Sequence, residues 1–184
     1  MKEHLPIVEK LLQQWHTALG PDYSGYRNHV YRIVNLAHHF YPAMSDTDAE
    51  LLEVAAAFHD IGIWLDHTFD YLEPSADRAS AWLAEHPEVG EASLESKQRQ
   101  VRALIMNHHK VRAVPGTNME LAEAFRKADW VDVSFAGRLA GVPKPLRKAL
   151  KAAFPDAGFH KRLMQLTWDQ VKKKPGSPLP MMRW

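Results

Sequence analysis

The sequence predicts an all-α protein that folds as one compact helical bundle. Apolar residues recur at three- and four-residue steps through most of the chain. Pro and Gly punctuate these periodic segments, and no alternating strand pattern competes with them. The 184 residues suit a single domain with a sizeable core. Only the stretches "VRAVPG" and "VDVSF" leave room for a β element.

Two helices are predicted at the start of the chain, over residues 3–19 and 26–41. The apolar stripe of the first consists of Leu5, Val8, Leu11, Leu12, Trp15 and Leu19. The segment "GPDYSG" separates the two helices, and Pro42 ends the second.

The third predicted helix, residues 47–61, has the clearest boundary signals. Ser45 or Thr47 is expected as its N-cap, with an acidic residue three positions on. Gly62 is expected to stop it. This helix carries the adjacent pair "HD" near its end.

The same helical period continues through the rest of the sequence. The segment "VRAVPGTN" is expected to be a loop, and the end of the chain, "KKPGSPLPMMRW", an irregular tail. The remaining predicted helices span residues 74–86, 91–109, 118–135, 144–154 and 157–173.

Composition excludes several classes of protein and site. The chain has no cysteine, and therefore no disulfide, thiolate metal site or cysteine nucleophile. It has no signal-peptide core and no apolar run long enough to span a membrane, so we expect a cytoplasmic protein without a membrane partner. It also lacks a Gly-rich phosphate loop, a GxSxG elbow and an HExxH motif.

Charge is distributed unevenly along the chain. Residues 143–184 carry ten Lys and Arg against two Asp and Glu, a balance of +8, which leaves −7 for residues 1–142. We therefore predict a helical core, 1–142, and a basic C-terminal segment, 143–184, whose helices pack on that core. A nucleic-acid partner is not expected, because no aromatic ladder or nucleic-acid motif accompanies the charge. The sequence predicts no particular oligomeric state.

Four of the predicted helices carry a potential metal ligand inside or beside an apolar stripe. These ligands are His29, the adjacent His59 and Asp60, His108, and Asp129. Imidazole nitrogens and carboxylate oxygens together suit Mn, Fe, Co, Ni or Zn. A carboxylate buried without a partner is strongly disfavoured. By spacing alone Asp132 competes with Asp129, because both lie one turn from apolar residues of their helix.

The strings "YRNHVYRI", "FHDIGIW" and "RKADWVD" resemble the signature of the HD-domain superfamily of metal-dependent phosphohydrolases. Order, spacing and helical setting agree over about residues 20–135. The resemblance implies an HD-type bundle with a divalent cation (Mn, Fe, Co, Ni, Zn or Mg) held by His29, His59, Asp60 and Asp129. It favours Asp129 over Asp132. It also gives Asp60 a catalytic task, to orient or deprotonate the attacking water.

His108 resembles the additional histidines of family members that hold two metals. It is a candidate catalytic residue, as a proton donor, substrate ligand or ligand of a second ion. Another histidine would be expected near residues 73–77, where this chain reads "EPSAD", and Glu73 or Asp77 are possible substitutes. One further residue along a helix rotates by about 100°, so His109 is expected on the surface.

In many HD proteins a Lys that contacts phosphate follows "HDIG", but here Ile63 and Trp64 follow. Other cations are candidates for the contact with substrate phosphate: Arg27, Lys110 and Arg126. For each of them a plain surface charge is an equally good interpretation. The segment "WLDHTFDYLEPS" is interpreted either as a pocket wall or as a well-packed connection.

The sequence therefore predicts a hydrolase that acts on a small phosphorylated compound, of which a nucleotide is one example. Two alternatives remain open. One is an HD-type di-iron oxygenase, and the other is a non-enzymatic HD protein that binds a metal or a ligand. No motif identifies the substrate.

Overall fold

Every regular element in the part of the chain that the structure describes is helical, and the predicted all-α fold is confirmed. The computed structural model describes residues 1–112, 119–177 and 179–182, with only the backbone of Met119. The α-helices are α1 Pro6–Gln14, α2 His16–Leu19, α3 Tyr23–Phe40, α4 Asp46–Phe58, α5 Gly62–Leu65, α6 Leu72–Glu85, α7 Leu94–Asn107, α8 Met119–Ser134, α9 Lys144–Ala153 and α10 Phe159–Lys173. None of the described helices is both long and apolar enough to cross a membrane.

Helices α3 and α4 form the centre of the bundle. All residues of α4 from 51 to 58 are buried, as expected for a helix whose second half is almost entirely apolar. Helix α3 packs against α8 and α4, while α1 covers α4 from another side. Helix α7 pairs with α6 and also contacts α4 and α8. The ends of α4 and α7 therefore come close to the middle of α3 and α8.

Several predicted boundaries differ from the observed ones. The single helix predicted over residues 3–19 is interrupted at Trp15, which separates α1 from α2. Ser45 is confirmed as the N-cap of α4, since its Oγ accepts from Asp48 N at 3.1 Å. The stretch "VDVSF" holds no strand, because α8 continues to Ser134. Most of "VRAVPG", residues 113–116, lies outside the described residues.

The basic C-terminal segment contacts α3 through main-chain carbonyl groups. Arg32 Nη1 donates to Phe154 O at 3.1 Å, and Asn28 Nδ2 donates to Pro155 O at 2.8 Å. Leu150 and Phe154 are buried. Residues 174–177 and 179–182 form no helix or strand, although Met181 is buried. The division of the chain at residue 142 stays a prediction.

Gly62 has a different role from the predicted helix stop. Helix α4 has already ended at Phe58, and Gly62 is the first residue of α5. Its backbone N donates to Ser75 Oγ of α6 at 3.1 Å. A Cβ at this position would lie 3.0 Å from Tyr71 Cβ and 3.1 Å from both Ser75 Oγ and Tyr71 O. The glycine therefore allows α5 and α6 to approach closely, just after the "HD" pair.

We expect Gly62→Ala to lower the free energy of unfolding by about 1–3 kcal/mol, because the added methyl group overpacks this contact. The melting temperature should fall by about 2–4 °C per kcal/mol, measured by thermal unfolding. Gly176→Ala is the matched control, because nothing lies within 4 Å of a Cβ there. Equal melting temperatures for the two variants would contradict a packing role for Gly62.

Candidate metal centre

Helices α3, α4, α7 and α8 bring the predicted metal ligands to one buried point. His29 lies within α3, and Asp129 lies within α8. His59 directly follows α4, with Asp60 next in the chain, and His108 directly follows α7. All five side chains are buried, and we call them the His–Asp cluster. Because the "HD" pair stands beyond the end of α4, the chain can turn both side chains toward one point.

The ligand atoms of the His–Asp cluster lie within a few ångströms of one another. His29 Nε2 is 3.1 Å from His59 Nε2 and 3.5 Å from Asp129 Oδ1. His59 Nε2 is 3.2 Å from Asp60 Oδ2, and His108 Nε2 is 3.4 Å from Asp60 Oδ1. Two sets of three ligand atoms, each within 4.8 Å of one another, share His59: His29, His59 and Asp129, and His59, Asp60 and His108.

Main-chain carbonyl groups determine which nitrogen of two rings faces the cluster. His59 Nδ1 lies 2.8 Å from Ala56 O, and His108 Nδ1 lies 2.6 Å from Ile105 O. A carbonyl oxygen only accepts hydrogen bonds, so each Nδ1 must carry a proton. In the neutral rings the Nε2 atoms therefore present lone pairs to the cluster, as metal ligation requires.

Asp132 orients the ring of His29 in the same way, with Nε2 toward the cluster. Its Oδ2 lies 2.8 Å from His29 Nδ1, and Arg32 donates to Oδ1 and Oδ2 at 2.6 and 2.8 Å. Burial raises the pKa of Asp132, but the hydrogen bonds from His29 and Arg32 outweigh it and hold the pKa well below its ordinary value. A charged carboxylate behind the ring is the usual partner of a metal-binding histidine. Asp132 thus supports His29 from behind, while Asp129 faces its Nε2.

Two polar atoms of the cluster lack a hydrogen-bond partner. Asp60 Oδ1 and His108 Nε2 are buried and lie 3.4 Å apart without forming a hydrogen bond, and neither has another partner among the described residues. The lone pairs of His29 Nε2 and His59 Nε2 repel each other across 3.1 Å unless a proton or a cation lies between them. Buried polar groups are nearly always satisfied, so these atoms call for a ligand. Three imidazoles and two carboxylates fit Mn, Fe, Co, Ni or Zn, and suit Mg less well because it prefers oxygen ligands.

The electrostatic field of the cluster favours positive charge. Burial disfavours the protonated form of His59, but the charge of Asp60, its hydrogen bond and the charge of Asp129 outweigh burial and raise the His59 pKa to about 9. Burial raises the pKa of Asp129, which lies in the same dry site. Charges that retain a proton on His59 also favour a divalent cation at the same place.

His109 is half-buried and approaches this site, whereas the sequence predicted a surface residue that faces away from it. Helix α7 ends at Asn107, so the rotation of a regular helix no longer applies two residues later. His109 Nδ1 lies 3.9 Å from Asp129 Oδ2, and its Nε2 lies 2.7 Å from the Tyr71 hydroxyl. Burial and the charge of His108 hold the pKa of His109 well below its ordinary value. His108, His109 and Asp129 form a third set of three converging ligand atoms.

A ring from the C-terminal segment covers His29. Phe159, the first residue of α10, stacks on the imidazole with 4.1 Å between ring centroids and 17° between planes. This approach needs Gly25 in α3, because a Cβ there would lie 3.3 Å from Phe159 N and from Ala157 O. One wall of the cluster therefore comes from a segment that carries no part of the sequence motif.

Arg27 does not belong to the cluster. It lies two residues before His29, about 200° around α3, and therefore on another face. Its Nε donates to Glu9 of α1 at 2.8 Å, and its guanidinium lies 4.4 Å from the centre of the Tyr31 ring. The prediction that Arg27 contacts substrate phosphate is therefore not supported by its position.

The other two predicted cations line a groove at the open side of the cluster. This groove, between the end of α7 and α8, has a volume of about 650 Å³, and we call it the α7–α8 groove. Its walls include His108, Asp129, Lys110 and Arg126. Arg126 donates twice to Glu123, at 2.8 and 2.7 Å, and once to Lys110 O at 2.9 Å. Arg126 is thus already neutralised, and it holds the main chain that carries Lys110.

Glu73 and Asp77 do not replace the histidine that is absent from α6. Both are exposed and pair with Arg102, which lies 2.6 Å from Asp77. In the segment 64–75 it is the buried Tyr71 that approaches the cluster, through His109. Part of this segment is therefore a wall of the site.

Sequence reasoning missed the roles of four residues: Arg32, Tyr71, His109 and Asp132. A signal was present for two of them. Arg32 lies three residues after His29 on α3, and Asp132 lies three residues after Asp129 on α8. Each pair lies on one face of its helix, and the two faces pack so that His29 meets Asp129 and Arg32 meets Asp132. Tyr71 and His109 meet only because of the turn that follows Asn107, for which the sequence holds no equivalent signal.

Comparison with protein families agrees with this geometry. The HD domain family model matches residues 26–148, a range that includes every member of the His–Asp cluster. Neither the curated proteins nor the solved structures compared with the chain gave a match. The family match covers more than half of the sequence and confirms the resemblance of the three motif strings: the chain belongs to the HD-domain family.

Proposed function

We propose that this protein is a metal-dependent phosphohydrolase that acts on a small phosphorylated compound, of which a nucleotide is one example. Membership of the HD-domain family supports this class, since HD domains are generally metal-dependent hydrolases. The observation that carries the proposal is the convergence of three imidazole Nε2 atoms on two buried carboxylates, with Asp60 Oδ1 unpartnered.

We assign His29, His59, Asp60 and Asp129 to the cation. When bound, a divalent ion polarises a phosphoryl oxygen and lowers the pKa of a water molecule. The protein's own part is to hold these ligands fixed, with Asp132 behind His29 and Ala56 O behind His59. The buried setting excludes bulk water, which strengthens the electrostatic interactions inside.

Two further side chains are suited to the proton transfers. Asp60 Oδ2 lies near His59, and Asp60 Oδ1 lies near His108. We infer that Oδ1 orients a water molecule or accepts its proton. His108 holds its Nδ1 proton against Ile105 O, which leaves Nε2 to exchange a proton at the cluster. Lys110 lines the α7–α8 groove and is the better candidate than Arg126 to offset phosphate charge.

The oxygenase alternative has less support. The described residues place Glu73 and Asp77 against Arg102, so neither supplies the ligand that the missing histidine would give. The set of His108, His109 and Asp129 still offers atoms for a second ion. Elemental analysis, followed by assays of oxygen consumption and of a panel of phosphorylated metabolites, separates the two chemistries. Metal binding without turnover in either assay would favour the non-enzymatic alternative.

Asp60→Ala should abolish both metal retention and phosphohydrolase activity, with a loss of rate of at least about 10²-fold for a water-orienting carboxylate. Metal content is measured by elemental analysis and helicity by circular dichroism, which should stay close to that of the parent protein. Asp66→Ala is the control, because it removes a carboxylate that pairs with Arg78 nearer the surface. An Asp60→Ala protein that retains the parent's metal content would refute the assignment of Asp60 as a ligand.

Asp129→Asn and Asp132→Asn should separate a ligand from its support. Asp129→Asn removes a negative ligand, so metal content should fall to near zero, while the melting temperature should stay close to that of the metal-free parent protein. Asp132→Asn should weaken metal affinity by about 10–100-fold, as expected for a partner behind a ligand. It should also lower the melting temperature, because the buried Arg32 loses its counter-charge. The reverse order of metal loss would show that the wrong carboxylate was chosen.

His108→Ala should impair turnover more than it impairs occupancy of the main ion. The four assigned ligands remain, whereas a proton-transfer group is lost, so kcat should fall by about 10²-fold or more. His86→Ala is a matched control: His86 also follows a helix, α6, and its Nδ1 also faces a carbonyl, that of Trp82. Kinetics as fast in His108→Ala as in His86→Ala would assign His108 a structural role only.

A further inference from the structure

The α7–α8 groove has two chemically different ends. At its inner end lie His108, His109 and Asp129. Away from the cluster the groove is lined mainly by apolar side chains contributed by α3, α8, the turn after α8 and the C-terminal tail. These are Phe40, Trp130, Val133, Ala140 and Met182. A molecule that reaches the cluster through this groove must therefore lie along an apolar wall.

The apolar residues that α8 contributes are unusually exposed. Trp130 is 49% exposed and Val133 is 38% exposed, although both are large apolar residues next to a buried ligand. Within the described residues the Trp130 ring stacks on no other aromatic ring. Exposed apolar surface beside a functional site commonly marks a place where a ligand binds. The exposed part of the indole, which lines the groove, offers a stacking surface for a flat ring.

Away from the cluster, the polar groups that line the groove are those of Lys110, Arg126, Lys127 and Ser134, and three of these four are engaged. Ser134 Oγ donates to Trp130 O. Arg126 and Lys127 both lie against Glu123, at 2.7 and 3.5 Å. Lys110 has no ion pair within the described residues. A sugar or polyol without a flat ring would thus find few free partners for its hydroxyl groups and would leave the apolar wall uncovered, which disfavours its binding.

We propose that the organic part of the substrate is a flat, largely apolar ring system that stacks on Trp130, with its phosphate toward the His–Asp cluster and Lys110. This inference rests on the proposed function for the phosphate end only. Two sources share the required chemistry, a nucleobase carried on a ribose and a simple aryl group, whereas phosphates of polyols and of sugars that carry no flat ring are excluded.

The test compares 1-naphthyl phosphate, adenosine 5′-monophosphate and glucose 6-phosphate in the parent protein, Trp130→Ala and Trp168→Ala. Trp168 is the matched control, because it is a 60% exposed tryptophan on α10 that does not line the groove. We expect kcat/KM to be highest for a ring-bearing ester. Trp130→Ala should lower that value by about tenfold or more through KM, as expected for loss of stacking, and Trp168→Ala should leave it unchanged. The ranking of the naphthyl and adenosine esters distinguishes the two sources.

Binding of the two dephosphorylated alcohols, 1-naphthol and adenosine, gives a readout that needs no turnover. At least one should bind by titration calorimetry, about tenfold more weakly to Trp130→Ala than to Trp168→Ala. If binding follows this pattern while no ester is hydrolysed, the groove inference stands and the proposed function fails. If glucose 6-phosphate is hydrolysed as well as the ring-bearing esters, or Trp130→Ala has no effect, the groove inference is overturned and the phosphohydrolase stands.

Discussion

Asp132 holds His29 and Arg32 at the same time, and the geometry of the His–Asp cluster depends on this contact. Its Oδ2 lies within 2.8 Å of both His29 Nδ1 and Arg32 Nη2. Because the ring is held at Nδ1, its Nε2 lone pair faces the cluster. Arg32 also donates to Phe154 O, so the same network ties the C-terminal segment to α3. Removal of one member would leave a buried charge unpaired, which is far more costly than loss of a surface ion pair.

The ends of helices, more than their interiors, make the site. His59, Asp60, His108 and His109 all come after the last residue of a helix. Neighbouring residues inside a helix face directions about 100° apart, whereas residues past its end are free to face the same point. The carbonyl groups of the last helical turn then take the Nδ1 protons of His59 and His108. The helices that form the bundle thus also determine which ring nitrogen of His59 and of His108 carries the proton.

Periodicity and short motifs were sufficient to predict the helices and the residues that meet in the His–Asp cluster. The helices could be predicted because their apolar residues repeat at helical spacing, and the ligands of the cluster because imidazoles and carboxylates are rare beside apolar stripes. Arg27 was chosen for its closeness to His29 in sequence, but it points in another direction on α3 and pairs with Glu9, so its contact with substrate stays a prediction without support from its position. His109 was misplaced because a helix was assumed to continue past Asn107. The approach of Tyr71 to the cluster could not be predicted, because it depends on the path of the chain between α5 and α6, which no local sequence pattern encodes.

Phe159 lies eleven residues beyond the end of the family match at residue 148, yet its ring covers a ligand of the cluster. The region that the family model matches therefore ends before the last residue that contacts the His–Asp cluster. For a cation bound at His29 as proposed, thermodynamic linkage makes the relation reciprocal: loss of the contact between α10 and α3 would weaken cation binding, and cation binding would favour that contact. The start of α10 thus couples the packing of the basic C-terminal segment to the position of the His29 ring.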